Sequence, residues 1–315
     1  PDQIRKPLNH RGGSSSVTGD FTSRLEKHRQ KAHMCLMSIF QTPLSDRAVL
    51  QVSGPERVAF LQNLVTQNTA NLPAGACVVA ALLTPQGKLL HEFLLFAEAD
   101  AFYIDCDASQ AEALFKKLSL YKLRAEVSLS QTDLRVMALW QEDGFACPPT
   151  ANFVQDPRHE GLGLRALVET QSTSALPSAS LEAWHANRIR LGVAQGAGEM
   201  PPGTVFPLDF GLAQMHGVDF QKGCFIGQEV TSRIQRKGRL KKKIHAVGFA
   251  QSAPARGSEI TAGTRACGEI IAAQGSHAIA LIREDARDQA LTCDGQNLTL
   301  MGGVFEDLET PAADE

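Results

Sequence analysis

Lys222-Gly223-Cys224-Phe225-Ile226-Gly227-Gln228-Glu229 sets a lysine, a thiol, two glycines and a carboxylate into eight consecutive positions. Glycine has no Cβ and belongs where the backbone turns sharply or comes close to another group, so Gly223 and Gly227 predict a tight loop around Cys224. From Gln228 the pattern turns helical: Val230 and Ile234 stand four apart, and Glu229 falls in the first turn. The thiol is thereby placed just ahead of a helix N-terminus. Partial positive charge there, together with Lys222 and the basic residues that follow, favours thiolate over thiol. Most free cysteines are small buried hydrophobes; this setting marks Cys224 as the reactive one.

Downstream, the helix is expected to run into Arg233, Arg236, Lys237, Arg239, Lys241, Lys242 and Lys243, which with Lys222 make eight cations against Glu229 alone. Such a run is a solvated face, or a surface for an anionic ligand or RNA. It contains no aromatic residue, so the stacking platform of a single-strand binder is not visible. Residues 244–250, 269–273, 278–282 and 298–301 read as short strands split by turns, a small β-barrel over 241–305. An acidic tail follows at 306–315.

Upstream, 195–211 is rich in Gly and Pro and contains Phe206-Pro207-Leu208-Asp209; a long irregular segment beside the octet predicts a binding loop. Residues 181–191 read as a helix stopped by Gly192, and 172–180 as a linker. Earlier still, a strand at 48–52 leads through Ser53-Gly54-Pro55 into a helix over 58–67 with Pro55 at its first position. Strands at 77–84 and 89–96 are joined by the turn Pro85-Gln86-Gly87-Lys88. A strand at 102–106 then meets Asp107 as the N-cap of a helix carrying Leu114, Phe115 and Leu118, and strands at 126–129 and 134–140 follow. Asp105 and Asp107 are assigned to turn and cap, because nothing nearby in sequence pairs with them for catalysis. Gly161-Leu162-Gly163 lacks the third glycine of a dinucleotide fingerprint. Residues 1–37, with Gly12-Gly13-Ser14-Ser15-Ser16 and no apolar periodicity, read as a disordered extension.

With 315 residues the chain exceeds one simple domain, and its net charge of −3 predicts no global attraction to nucleic acid. No apolar run approaches the length of a membrane span, so no membrane is expected. The seven cysteines are widely spaced and include no Cys-x-x-Cys pair. That argues for a reducing compartment and against a disulfide framework or a self-contained zinc or iron–sulfur site.

The octet, with an aromatic after the cysteine and Gly-Gln-Glu closing it, resembles the signature of the YgfZ family. These are folate-binding proteins related to the glycine-cleavage aminomethyltransferase, and they include a mitochondrial iron–sulfur assembly factor. Ser45-Asp46-Arg47, Val52-Ser53-Gly54-Pro55, Leu83-Thr84-Pro85-Gln86-Gly87-Lys88, Arg188-Ile189 with Leu191-Gly192, and Phe206-Pro207 extend the resemblance over 44–304. It implies an α+β, aminomethyltransferase-like multi-lobed fold: a folate-binding region over 38–240, in lobes of about 38–130 and 131–240, and a C-terminal β-barrel. It implies tetrahydrofolate as cofactor, with Gln86, Lys88, Arg188, Phe206, Arg233 and Arg236 as contacts. Cys224 is implied as a transient thiolate toward an A-type iron–sulfur carrier or a shared cluster, with no intrinsic metal. In that picture Lys222 keeps the thiol ionised, and Gly223, Phe225, Gly227, Gln228 and Glu229 form and hold the loop. The implied clients are iron–sulfur enzymes, including those that thiolate tRNA, without RNA as a direct partner. The implied compartment is the cytoplasm, with the mitochondrial matrix as alternative. Two positions depart from the transferase: its Asp-Asp pair reads His91-Glu92 here, and its folate-binding glutamate reads Arg190. Aminomethyl transfer is therefore the second reading and an RNA-binding module the third.

Overall fold

The computed structural model describes residues 39–142, 150, 152–169, 176–302 and 304. The expected N-terminal extension, the acidic tail and residues 172–175 of the expected linker fall outside them.

Strand β1 (Ile39–Pro43) is followed by β2 (Arg47–Ser53) and α1 (Arg57–Gln62). Helix α1 is shorter than the 58–67 pattern predicted. Pro55 lies in the preceding turn, and the chain is extended by Val65, which bridges Leu82. Next come β3 (Cys77–Leu83), β4 (Leu89–Ala97), β5 (Ala101–Asp107) and α2 (Ala111–Lys122), much as the hairpin and cap signals predict. Asp107 caps the 3-10 turn Ala108–Gln110 that leads into α2, its Oδ1 accepting from Ser109 N at 2.8 Å, while the N-cap of α2 itself is Gln110. After β6 (Ser128–Gln131) and β7 (Arg135–Gln141) come β8 (Val154–Gln155), a 3-10 turn at Glu160–Leu162 and β9 (Leu164–Val168), none of which the sequence patterns marked. Helix α3 (Leu181–Arg190) starts on Ser180, whose side chain accepts from Ala183 N, and the single turn α4 (Gly196–Glu199) follows. Beyond a 3-10 turn at Pro207–Phe210 comes α5 (Gln228–Arg236).

Antiparallel pairing orders the first sheet β3-β4-β5-β2-β6. The register puts Val49 and Leu94 beside Asp105, and Gln51 and Phe96 beside Tyr103, so these residues share one face. The opposite face, with Leu50, Val52, Phe93, Leu95 and Ile104, packs with Phe60 and Leu61 of α1 and Leu114 and Leu118 of α2 in one apolar cluster. The second sheet runs β1-β7-β9-β8, so its first strand comes from well before the rest. Val136, Ala138 and Trp140 of β7 share a core with Val49 and Leu94.

Six strands close the barrel: β10 (Lys242–Phe249), β11 (Glu259–Ala262), β12 (Arg265–Gln274), β13 (His277–Arg283), β14 (Leu291–Cys293) and β15 (Gln296–Leu300). Sequence patterning found four of them and missed the short β11 and β14. Strand β13 is apolar on both sides for a reason: Ala278, Ala280 and Ile282 fill the barrel, while Ile279 and Leu281 join the main core. Residues from Phe40 onward form one contact-dense unit.

Candidate functional site

The octet is held from three directions. Phe225 is buried in the main core while its neighbour Ile226 packs against the cluster under α1 and α2. Lys222 Nζ donates to the carbonyls of Val65 at 2.6 Å and Gln67 at 2.5 Å, just past the end of α1, and Gln62 Nε2 donates back to the Lys222 carbonyl at 3.3 Å. Gly227, at φ +83°, is the N-cap of α5, and a Cβ there would lie 2.6 Å from Thr84 O and 3.1 Å from the Gly87 Cα. The Pro85-Gln86-Gly87-Lys88 turn thus abuts the loop, a contact that no sequence pattern shows. Gly223, at φ +96°, has open space around it, so backbone conformation alone requires glycine there.

Cys224 is the exposed cysteine among those described. Burial pushes the Cys106 thiol up to about 12 and the Cys293 thiol up to about 11, and raises Cys77 and Cys267 as well. A brief iodoacetamide pulse at neutral pH is expected to label Cys224 before any of these four, read by mass spectrometry. Equal labelling of Cys77 would remove the reactive-thiol assignment.

Lys222 has a different occupation from the one expected. With its ammonium spent on two backbone carbonyls it positions the loop, and burial, partly offset by Asp219, lowers it to about 8. Gln228 N closes the turn on Phe225 O at 3.2 Å, whereas Glu229 is exposed in the first turn of α5. The basic run is not one helix. Helix α5 stops at Arg236, Gly238 turns the chain at φ +63°, and Lys242 and Lys243 begin β10, where Lys243 pairs with Glu284 at 2.9 Å. Arg233, Arg236, Lys237, Arg239, Lys241 and Lys242 are exposed, opposite the packed side of Thr231 and Ile234.

The 195–211 segment joins the hairpin next to the octet. Leu89 N donates to Val205 O at 2.9 Å, and Lys88 Nζ donates to Thr204 O while lying 3.5 Å over the Phe206 ring. Asp209, not singled out from the sequence, is lifted by burial to about 6, with Lys88 and Lys242 pulling the other way.

Around Glu92, at the transferase's carboxylate position, charged side chains are buried together. Asp105, read as a turn residue, is fully buried and accepts from Arg47 Nε and Arg165 Nε, each at 2.6 Å. Asp156 accepts from Arg158 and Arg165 at 2.7 and 3.1 Å. Glu92, at the transferase's carboxylate position, stands 3.8 Å from Arg47 and 4.0 Å from Arg158. Three guanidiniums and three carboxylates thus neutralise one another. Burial alone would raise Asp105, but Arg165 and Arg47 hold its carboxyl below the usual range. The cavity touching His91 and Glu92 is about 10 Å³, room for one water and no more. Arg188 is committed to Glu199 at 2.5 and 2.9 Å and to the Val193 carbonyl, and Arg190 donates to Asn187 Oδ1 at 2.8 Å. Gln86, Lys88, Phe206, Arg233 and Arg236 line neither this cavity nor the two larger ones described. Among the described residues, those assigned to tetrahydrofolate thus line none of these three cavities.

His91, beside that cavity, is held near 4 by burial, with Lys117 adding to the effect and Asp107 opposing it. The unfolded chain takes up the imidazole proton near 6.5 and the folded chain only near 4, so stability falls as pH drops through that window and levels off below it. Urea unfolding at pH 7 and pH 4.5 should show His91→Gln losing less stability than wild type, by up to about 3 kcal/mol. Identical losses would place the acid limb elsewhere.

Three comparisons bear on this geometry. The description "CAF17, C-terminal beta-barrel domain" matches residues 241–301, the barrel strands. The solved aminomethyltransferase T of the glycine cleavage system from Bartonella henselae superposes with a TM-score of 0.70 over 88% of this chain and 89% of that one, at 15% identity. The fold is therefore α+β and aminomethyltransferase-like. The human mitochondrial iron–sulfur cluster assembly factor IBA57 is 32% identical over 271 residues, covering 76% of each chain. A Neurospora crassa homolog is 34% identical over 64% of this chain and 52% of its own length. Both relatives are mitochondrial by name, the alternative compartment of the sequence reading and not its first. At that identity and coverage, and with the fold and the barrel agreeing, the chain belongs to the IBA57 family of iron–sulfur cluster assembly factors.

Proposed function

We propose that this protein assists assembly or repair of iron–sulfur clusters in client enzymes by lending Cys224 as one ligand to a cluster shared with an A-type carrier. The observation that carries this reading is the exposed Cys224 thiol on a loop clamped by Lys222, Phe225 and Gly227, in a member of this family. No group of three or more metal-ligating side chains is found among the described residues, so a cluster here needs ligands from elsewhere. The step is a ligand exchange without redox change. An iron–thiolate bond to the carrier breaks as the Cys224 Sγ–iron bond forms, and the Cys224 proton leaves to the released thiolate. The proposal includes tRNA-thiolating enzymes among the clients and the mitochondrion of the named relatives as the compartment. It assigns no step to folate. Affinity capture of a cluster-loaded A-type carrier by wild type and Cys224→Ala tests it: retention by wild type alone, with the visible absorption of an iron–sulfur cluster, is expected. Equal retention of a cluster-bearing complex by both would overturn it.

A further inference from the structure

The shared face of β2, β4 and β5 is covered unevenly. At one end Arg47, Glu92 and Asp105 are sealed by Arg158 and Arg165, and in the middle Val49 and Leu94 pack with Val136 and Ala138. At the other end a cavity of about 830 Å³ remains, within the range of small-molecule sites. Phe96, Tyr103 and Phe153 supply aromatic walls, and Leu134, Val154 and Leu167 supply aliphatic ones. No residue of the octet lines it, and it is distinct from the small cavity at Glu92.

Its polar groups are prearranged. Gln51 Nε2 donates to the Tyr103 hydroxyl oxygen at 3.1 Å, and Gln51 Oε1 accepts from Ser130 at 3.3 Å. The amide orientation is thus set from the sheet, and the Tyr103 O–H is left to donate to a ligand acceptor. The charged residues lining the cavity are Glu98 and Asp100; among the described residues no lysine or arginine does so. Arg57 donates to the Ala99 carbonyl and so braces the acidic turn without lining the cavity.

We propose that this cavity is a binding site for a planar aromatic molecule carrying positive charge. Aromatic faces attract cations through the ring quadrupole, and two carboxylates at the edge add Coulombic attraction. The same charges repel an anion such as a polyglutamate tail, so this is no displaced folate site.

Fluorescence titration of the full chain with proflavine, a planar aromatic cation, tests the site, with 8-anilinonaphthalene-1-sulfonate as a planar anion. Saturable one-site binding of proflavine is expected, with little binding of the anion. The Glu98→Gln/Asp100→Asn double variant, on exposed positions, should weaken proflavine at least fivefold at unchanged melting temperature. Phe153→Ala should weaken it through the wall instead, at any ionic strength. Absence of saturable binding, equal binding of the anion, or an unchanged dissociation constant in both variants would overturn the proposal.

Discussion

Cys224→Ser is expected to abolish support of iron–sulfur client enzymes in cells lacking the native factor, while the purified variant unfolds like wild type. The side chain is exposed, so exchanging thiol for hydroxyl strands no buried polar group, and surface changes of this kind stay within about 0.5 kcal/mol. What the exchange removes is soft-ligand chemistry: a serine hydroxyl stays protonated at neutral pH and is a poor partner for iron in a cluster. Client activity should fall at least about tenfold, toward the level without the protein. Melting temperature and client activity on the same preparation decide the outcome. Full activity would mean that the loop acts by shape alone, and a large drop in melting temperature would mean that the thiol is structural.

The largest stability effect is expected at the buried ion cage. Asp105→Asn keeps the volume but removes the charge that faces Arg47 and Arg165, both buried. Breaking a buried pair in this way costs about 3–5 kcal/mol, because an uncompensated charge is left in a medium that solvates it poorly. For a chain of this size that is a fall in melting temperature of roughly 5–8 °C. Asp107→Asn, the same chemical change two residues on, is the control: asparagine can still cap Ser109 N and loses only the part-buried bond from Ala197 N, so its cost should stay at about 1 kcal/mol. Similar effects at the two positions would show that the cage does not hold the two sheets together.

Local chemistry was legible in the residues. Pro85-Gln86-Gly87-Lys88 specifies a hairpin turn, Asp107 specifies a cap, and Gly223 and Gly227 specify a loop around a thiol, because each signal acts over a few consecutive residues. The octet also carried the family resemblance. Pairing across long separations was not legible. That β1 joins β7, that Gly87 abuts Gly227, and that Lys222 reaches Val65 are outcomes of packing between segments with no sequence periodicity in common. The cage is the clearest case. Asp105 looked unpartnered because its guanidiniums lie 58 and 60 residues away along the chain. The sequence by itself determined that Cys224 lies in a glycine-bracketed loop just before a helix, because those signals are local. Only the tertiary structure decided that Asp105 meets Arg47 and Arg165, since whether a buried carboxylate finds a guanidinium depends on distances that the fold alone sets.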